Sequence, residues 1–506
     1  MSDWLKRLEA LDPARLAGMR RGVEKESLRA QAGASSLALT PHPTALGSAL
    51  THETVTTDFS ESQLELITGV HASADDCLGE LTEIHQAVYR ALGDELMWAS
   101  SMPCQLPADE TIPIGRYGAS NIGRAKSVYR MGLGHRYGRR MQTISGIHYN
   151  WSMPGLDNAD HFALIRNFRR HSFLLLTLFG ASPALCASFV AGREHGLQPL
   201  AEGTLHMPYG TSLRMGRLGY QSDAQSTLSV SYNSLDGYAA SLQDALTRPY
   251  PAYEKVGVMN PGGEYNQLST TLLQIENEFY GTIRPKRTIR SGERPLHALR
   301  ERGVEYIEVR CMDLDPFEPV GIAASTMRFI DIFLLHCWLT DSPEDSPTEL
   351  GALARNQHRT ASAGREPGLK LERRGGEVAL CDWGSELLSE FAPIAAKIDA
   401  ALGGSLYREA LETAVARWAD FDSLPSARVL AEMKSLHASS HLDFVTARSA
   451  QSRDHVLAQP ASAGLDERFA ASARASLERQ AAIEAADTLD FETFRQQYLD
   501  PAQLRG

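Results

Sequence analysis

Closely spaced cysteines are missing from this sequence. The 506 residues include six cysteines, and these are scattered at positions 77, 104, 186, 311, 337 and 381. Neither a CxxC pair nor an HExxH motif occurs, which argues against a structural zinc site and against a zinc protease. Isolated cysteines are typical of reduced thiols in a reducing compartment and not of a disulfide framework. We therefore predict free thiols and a cytoplasmic protein.

Long apolar runs are also missing. The two most apolar stretches, FLLLTLF (173–179) and FIDIFLLHCWL (329–339), are shorter than the roughly 20 residues that a membrane-spanning helix needs. The second stretch also carries Asp331 and His336. The N-terminal segment 1–16 has apolar residues at helical spacing, which predicts an amphipathic helix and not a signal peptide. The sequence thus predicts no membrane association.

Neither of the common nucleotide-binding motifs is intact. The stretch GASNIGRA (118–125) has the glycine spacing of a Walker A loop, but Arg124 replaces the lysine and Ala125 replaces the serine or threonine that would bind magnesium. The stretch GLGHRYG (132–138) lacks the glycine spacing of a dinucleotide-binding loop. A P-loop enzyme and a Rossmann-type enzyme are both disfavoured.

Excess positive charge is absent as well. Asp and Glu number 62 against 50 Lys and Arg, which gives a net charge of −12. Such a chain repels nucleic acid and anionic membranes unless basic residues are locally concentrated. Basic clusters do occur at 136–140, 166–170 and 284–290, and clusters of this size suit a small ligand that carries phosphate. We expect no nucleic-acid partner.

Helical and strand-like segments are interspersed in the first two thirds of the chain. Apolar residues recur every three or four positions in 76–97 and 159–179, which predicts helices. Short alternating runs between them predict strands. Because no parallel-sheet fingerprint is present, we predict an α+β fold, with a mainly antiparallel or mixed sheet and helices packed on one face.

The C-terminal region has a different composition. Beyond about residue 384 the chain is rich in Ala, Glu, Leu and Arg, which predicts mostly helix, and polar segments near 340–376 and 452–465 are typical of linkers. We predict a sheet-and-helix catalytic domain at 1–380. We also predict a mostly helical part at 381–506 that packs on this domain and does not fold independently.

Two carboxylates lie two residues apart in the strand-like run GVEKES (22–27). In an extended strand, Glu24 and Glu26 share one face and Lys25 takes the other. Considered alone, this pattern is typical of an edge strand with one face in water.

Three other strand-like runs repeat the pattern. Glu65 lies in QLELIT, downstream of Asp58, whereas His148 lies in SGIHYNW and Glu308 in VEYIEVR. In one sheet, these faces would gather five carboxylates and an imidazole, and such a cluster repels itself unless cations bind in it.

Oxygen ligands with at most one imidazole indicate Mg²⁺ (or Mn²⁺), because zinc would need cysteine or several histidines. Magnesium usually binds together with phosphate. Arg310 shares the predicted face of Glu308 and has the geometry to bind a substrate carboxylate, although a plain cross-strand ion pair explains it equally well.

Seven long motifs also carry a resemblance to a known family. They are RGVEKESLR, GSALTHETVTTDFSESQLELIT, MQTISGIHYNWSMP, LFGASPALC, PYGTSLRMGRLGY, LLQIENEFYGTIRPKR and GVEYIEVRCMDLDPF. In collinear order from about residue 15 to 375, they resemble the proteobacterial type of glutamate–cysteine ligase. The resemblance implies a curved, mainly antiparallel six-stranded sheet related to the catalytic fold of glutamine synthetase.

The resemblance also implies a reaction. The family joins the γ-carboxylate of L-glutamate to the amine of L-cysteine with ATP as co-substrate, through γ-glutamyl phosphate, in the first step of glutathione synthesis. Two alternatives stay open: a related ligase for another amine, and a non-catalytic relative that binds ATP or glutamate. We expect a monomer that uses small-molecule substrates.

By motif match, the resemblance assigns candidate site residues. The metal ligands are Glu24, Glu26, Asp58, Glu65, His148 and Glu308. The glutamate site is Arg130, Arg310 and the backbone near Ile144, with Arg310 and Glu308 as catalytic residues. The cysteine pocket is Tyr129, Leu133, Gln142, Arg214, Tyr220 and Tyr280. Lys286 and Arg287 are expected to bind the ATP phosphates. Trp151, where the family usually has Phe, and a short segment 154–162 depart from the pattern without changing these ligands.

Overall fold

The computed structural model describes residues 2–219, 223–226, 228–290 and 292–505. The strands in these ranges are β1 (Arg20–Gln31), β2 (Val55–Thr57), β3 (Gln63–Ile67), β4 (Glu95–Met97), β5 (Ile147–Ser152), β6 (Ala184–Cys186), β7 (Gln198–Ala201), β8 (Thr204–His206), β9 (Ile283–Lys286), β10 (Tyr306–Met312), β11 (Lys370–Arg373) and β12 (Gly376–Ala379).

The α-helices in the same ranges are α1 (Asp3–Glu9), α2 (Pro13–Ala17), α3 (Ala74–Leu92), α4 (Asn121–Tyr137), α5 (Asn158–His171), α6 (Phe173–Phe179), α7 (Asp223–Ser226), α8 (Leu235–Thr247), α9 (Pro251–Val256), α10 (Pro295–Arg302), α11 (Ala324–Leu339), α12 (Pro347–Ala363), α13 (Leu380–Leu402), α14 (Leu406–Ala419), α15 (Pro425–Leu436), α16 (His441–Ala458), α17 (Leu465–Ala486) and α18 (Phe491–Leu499). Among the described residues, no helix combines the length and the apolar character needed to cross a membrane.

The main sheet confirms the predicted fold class. Its strands follow the order β2-β3-β1-β5-β10-β9, and every pair of neighbours is antiparallel. The sheet has seven strands in the described ranges, so the predicted count of six is wrong. The additional strand is β4, which pairs with the last three residues of β1. Because β1 is 12 residues long, its end extends beyond β3 and β5 and is free to pair with β4.

One face of the sheet is apolar and lies against helices. Val23, Tyr149 and Val309, from the three central strands, are almost fully buried in a core that includes residues of α3, α5 and α11. The apolar run 329–339 lies within α11, where every side chain from Met327 to Leu339 is buried. This run is therefore a core helix, as its length suggested.

The C-terminal helices continue this same core. Leu387 and Phe391 of α13 and Leu411 of α14 belong to the apolar cluster that also contains strands β1, β5 and β10. The segments predicted as linkers are partly regular structure, because α12 lies within 340–376 and α16 continues to Ala458. The polar sequence of α12 misled this prediction, since few of its side chains are buried.

Truncation after residue 380 should prevent cooperative folding. Removing α13 and α14 exposes the apolar side chains of α11 that pack against these two helices. We expect no cooperative urea transition for residues 1–380 in circular dichroism. Removal of residues 491–506 is the matched control and should preserve the transition, because Phe491 and Leu504 are the only buried residues among the described part of that segment. A cooperative transition for 1–380 would show that this part folds without α13 and α14.

Two cysteines differ from the prediction of reduced thiols. Cys104 and Cys186 form a disulfide across 82 residues of sequence. Cys77, Cys311 and Cys337 are free and buried, and Cys381 is free and exposed. The prediction is therefore wrong for one pair, because a pairing between distant residues depends on the fold and leaves no local pattern.

Candidate active site

The polar face of the sheet gathers side chains from four strands. Glu24 of β1 lies opposite His148 of β5, and Glu26 of β1 lies opposite Glu65 of β3. Glu308 of β10 lies opposite Asn150 of β5, which is two residues after His148 and therefore on the same face. Side chains alternate between faces along each strand, so these registers place all five groups on one side. The convergence predicted from alternation is what the structure contains.

His148 lies at the centre of the carboxylates. Its Nδ1 atom is 3.4 Å from Glu24 Oε2 and 3.5 Å from Glu308 Oε1, and its Nε2 atom is 3.6 Å from Glu26 Oε1. Burial and the charge of Arg310 lower the pKa of His148 despite these acidic neighbours. A neutral imidazole has a lone pair available for a metal ion.

Cationic side chains surround Glu308. Arg310 Nη1 donates to Glu308 Oε1 at 2.7 Å, and Lys286 Nζ is 3.6 Å from Glu308 Oε2. Burial disfavours the charged form, but Arg310 and Lys286 outweigh it and hold the pKa of the Glu308 carboxyl well below its usual range. Glu308 is therefore an ionised carboxylate at neutral pH.

Burial also disfavours the charged form of Glu24, but its hydrogen bond with His148 and the charge of Lys286 outweigh burial and lower its pKa, whereas Glu26 and Glu65 are not compensated in this way. Burial and the charges of Glu24 and Asp58 raise the pKa of the Glu65 carboxyl well above its usual range. Burial and the charge of Asp58 raise the pKa of Glu26 to about 8. A divalent cation would remove this repulsion.

The geometry of the cluster fits such a cation. One ligand atom from each of Glu24, His148 and Glu308 lies within 4.8 Å of the others. Within the described part of the chain, Glu308 Oε2 and His148 Nε2 are buried without a hydrogen-bond partner. Carboxylate oxygens with one imidazole suit Mg²⁺ or Mn²⁺ better than zinc.

A cavity of about 530 Å³ lies over this face of the sheet. Helix α4 forms a second wall, because residues spaced three or four apart along it line the cavity, among them Lys126, Tyr129, Arg130 and Leu133. The helix begins where Ser120 Oγ accepts a hydrogen bond from the Gly123 N–H. The stretch that imitates a Walker A motif is therefore the start of this helix.

Most of the predicted site residues line this cavity. They are Glu24, Asp58, Glu65, Tyr129, Arg130, Leu133, Gln142, His148, Tyr280, Lys286, Glu308 and Arg310. Two of these polar side chains are hydrogen-bonded to each other, since Gln142 Nε2 donates to the Tyr280 hydroxyl at 2.7 Å. The Arg130 guanidinium packs over the Tyr117 ring, 4.4 Å from its centroid, and its Nε donates to the Asp58 carbonyl.

Three predicted residues lie behind the cavity wall. Glu26 is 1% exposed, and its Oε2 accepts from the Gly146 N–H at 2.7 Å. Arg214 is fully buried and donates through Nη2 to the Arg310 carbonyl at 2.9 Å. Ile144 is buried, and its carbonyl accepts from Gln63 Nε2 at 3.0 Å. Each of these residues supports groups that face the cavity.

One predicted residue in the described ranges is not brought to the cavity. Arg287 follows Lys286 and therefore points to the opposite side of the strand, where Nη1 donates to the Arg302 carbonyl at 2.7 Å. Tyr220 lies outside the described residues.

Sequence reasoning missed other residues that line the cavity. Arg284 lies opposite Glu308 in the register between β9 and β10 and shares the face of Lys286. Alternation from Lys286 would have found it. Tyr498 of α18 also lines the cavity, and nothing in its local sequence indicates this because it arrives from the far end of the chain.

Gly146 leaves room for the residues behind the wall. A Cβ atom at this position would overlap the Arg214 guanidinium, which is enclosed on all sides. We expect Gly146→Ala to lower the free energy of unfolding by about 1–3 kcal/mol, as overpacked buried sites do. The measurement is urea denaturation followed by circular dichroism. Gly79→Ala is the control, because a Cβ there meets no atom within 4 Å. Equal stability of both variants would show that Arg214 relaxes freely.

The arrangement has a clear chemical capacity. Carboxylates and an imidazole bind divalent cations, and the lysine and arginines beside them bind phosphate or carboxylate groups. The cavity can therefore hold a metal–phosphate group next to a second, acidic ligand.

Comparisons with known proteins agree with this chemistry. Residues 5–360 match the family model described as glutamate-cysteine ligase. A glutamate–cysteine ligase of Alcanivorax borkumensis is 47% identical over 97% of both chains, and one of Bordetella petrii is 47% identical over 96% of this chain and 94% of its own. The crystal structure of a glutamate–cysteine ligase from Francisella tularensis in complex with AMP has a TM-score of 0.91 at 33% identity, covering 96% of this chain and 98% of its own.

Proposed function

The chain belongs to the glutamate–cysteine ligase family, and we propose that the cavity between the polar face of the sheet and α4 is its active site. The reaction joins the γ-carboxylate of L-glutamate to the amine of L-cysteine, with conversion of ATP to ADP and phosphate. The observation that carries the proposal is the convergence of Glu24, Glu65, His148 and Glu308 from four strands on one cavity beside Lys286 and Arg310.

Two chemical steps follow from the substrates. A carboxylate is a poor acyl donor, so one γ-carboxylate oxygen of glutamate first attacks the γ-phosphorus of ATP. The bond from that phosphorus to the bridging oxygen breaks, and ADP leaves. The cysteine amine then attacks the carbonyl carbon of γ-glutamyl phosphate and expels phosphate. Positioning of the reactants supplies most of the rate in such transfers.

The arginines have complementary roles. Arg310 lines the cavity, where its Nη1 donates to Glu308, and its guanidinium would bind a glutamate carboxylate in two-pronged geometry. Arg130 is held over the Tyr117 ring and would bind the second carboxylate of the same substrate.

Mg²⁺ or Mn²⁺ is the cation that we assign to this site. The carboxylates of Glu24, Asp58, Glu65 and Glu308 and the imidazole of His148 line the cavity and would hold it, and Glu26 would contribute from behind His148, where its Oε1 is 3.6 Å from His148 Nε2. When bound, the cation neutralises the phosphate oxygens of ATP. Burial and the neighbouring carboxylates raise the pKa of Glu26 and of Glu65. A cation that relieves this repulsion is consistent with both shifts and supports the assignment.

The cysteine substrate would bind in the same cavity, where Tyr129, Leu133, Gln142 and Tyr280 are among the lining residues. The Gln142–Tyr280 hydrogen bond orients both polar groups. Arg214 would act from behind the wall by fixing the Arg310 backbone. We keep Tyr220 in this pocket on the motif match alone.

Two adjacent basic residues, the last residue of β9 and the residue after it, provide a test of the phosphate assignment. Lys286 and Arg287 are adjacent, but Lys286 lines the cavity and Arg287 does not. The relative from Francisella tularensis binds AMP, which supports an adenine nucleotide here. We expect Lys286→Ala to raise the KM for ATP about tenfold or more, as loss of a charge-assisted hydrogen bond does. The matched Arg287→Ala should leave the KM within about twofold, and the opposite ranking would refute the assignment.

The function itself is tested by the product. Purified protein with ATP, L-glutamate, L-cysteine and Mg²⁺ should form γ-glutamylcysteine, identified by mass, in step with ADP. Faster turnover with another amine than with cysteine would assign a sister ligase. Nucleotide binding without any product would assign a non-catalytic relative.

A further inference from the structure

Three potential metal ligands meet far from the carboxylate cluster. The last residue of α5, His171, lies beside the last turn of α11, which carries His336 and Cys337. One ring nitrogen of each histidine and the cysteine sulfur all lie within 4.8 Å of one another. His336 and Cys337 are 1% and 0% exposed. A donor set of two nitrogens and one sulfur is therefore already assembled in the folded chain.

The ring nitrogens are available for a metal. His336 Nε2 is 2.7 Å from Glu390 Oε2, so this nitrogen donates its hydrogen to the carboxylate and Nδ1 has the free lone pair. Among the described residues, the buried Nδ1 atoms of His336 and His171 have no hydrogen-bond partner. A carboxylate behind a histidine with an unpartnered second nitrogen is typical of metal-bound histidines.

We propose that His171, His336 and Cys337 form a second metal site, specific for zinc or a similar thiophilic divalent ion. Imidazole and thiolate suit Zn²⁺, whereas Mg²⁺ prefers oxygen ligands. Zinc–ligand bonds of about 2.0–2.3 Å separate the donors of a tetrahedral site by about 3.5 Å, so shifts of about 1 Å would complete it. The zinc–sulfur bond forms as the Cys337 S–H proton leaves for solvent.

Access and the fourth ligand come from a large cavity. A cavity of about 1080 Å³ is lined by His171, His336 and Glu390 and opens between α11, α12 and α13. Water from this cavity would fill the fourth position. The site therefore combines buried donor atoms, a histidine oriented by a carboxylate and a path to solvent.

Nearby charges have a mixed effect on a cation. Arg373 on this wall is paired with Glu386, with N–O distances of 2.6 and 2.7 Å, which cancels much of its repulsion. Arg374 opposes a cation, whereas Glu390 and the ionised Cys337 favour it. Ionisation of Cys337 leaves the metal and its ligands with one net positive charge that the Glu390 carboxylate offsets.

Cobalt is a probe that separates this site from the carboxylate cluster. Co²⁺ bound to a thiolate has an intense near-ultraviolet charge-transfer band, and the proposed carboxylate and imidazole ligands contain no sulfur. The experiment adds Co²⁺ to chelator-treated full-length protein in excess Mg²⁺ and without thiol reductant. We expect the band in the unmodified protein and its loss in Cys337→Ser and in His171→Asn.

A matched control excludes another source of the band. Cys104, Cys186 and His441 also lie close together, although the two sulfurs are joined in the structure. The double variant Cys104→Ser, Cys186→Ser, which leaves no sulfur in this cluster, should therefore keep the cobalt band. Because His171 is only half-buried whereas Cys337 is fully buried, we expect His171→Asn to disturb folding less than Cys337→Ser.

Two results would overturn the proposal. One is the absence of a thiolate band in the unmodified protein, and the other is its persistence in Cys337→Ser or His171→Asn. An independent measurement is the zinc retained after gel filtration, where we expect about one ion per chain more in the unmodified protein than in either variant. These outcomes do not depend on the ligase reaction.

Discussion

Glu308→Gln should lower kcat by about 100-fold or more, the size of effect that follows loss of one preorganised charged group in an active site. Glu308 is almost fully buried, is ionised by Arg310 and Lys286, and offers a ligand atom to the predicted cation together with Glu24 and His148. A neutral amide keeps the size of the side chain and removes its charge. The measurement is steady-state formation of ADP at saturating Mg²⁺.

The matched control for Glu308→Gln is Glu305→Gln. Glu305 lies just before β10, and its half-exposed side chain pairs with Arg287 at 3.5 Å away from the cavity. We expect kcat of the control within about twofold of the unmodified enzyme, because exposed ion pairs contribute little. Unchanged melting temperatures would show that both variants are folded. Near-normal turnover of Glu308→Gln would remove Glu308 from the metal site.

Asp331→Ala should lower the free energy of unfolding by about 3–5 kcal/mol, because removal of one partner leaves a buried charge without compensation. The side chains of Asp331 and Arg21 are fully buried, with Arg21 Nη2 3.0 Å from Asp331 Oδ2. The hydroxyls of Tyr149 and Tyr407 donate to the same carboxylate at 2.8 and 2.9 Å. The network joins β1, β5, α11 and α14.

Urea denaturation followed by circular dichroism measures this loss. The control is Asp466→Ala, which removes a carboxylate that pairs with Arg90 at 2.6 Å on the exposed surface. We expect the control to lose less than about 1 kcal/mol. A similarly small loss for Asp331→Ala would mean that Arg21 finds other partners in the core.

The structure also explains why the same strand serves stability and chemistry. Arg21 and Lys25 of β1 point to the helical side of the sheet, and Glu24 and Glu26 point to the polar face. Lys25 Nζ is 3.0 Å from His85 Nε2 of α3. A slip of one residue in the register of β1 would exchange these two sets. The antiparallel pairing with β3 and β5 therefore fixes both the buried network and the candidate site.

The sequence alone determined which side chains share a face. Alternation along a strand has a period of two residues, so GVEKES and VEYIEVR specify their polar faces without any knowledge of neighbours. This local rule predicted that Glu24, Glu26, His148 and Glu308 converge. The motif matches added the family, which the comparisons show.

Tertiary structure alone decided what lies opposite these faces. The long β1 pairs with β4, Tyr498 reaches the cavity from α18, and Cys104 meets Cys186 across 82 residues. Arg214 and Glu26 lie behind the cavity wall although their motifs suggested direct contact. The physical reason is that alternation depends on backbone geometry within a few residues, whereas these contacts depend on how distant segments pack against one another.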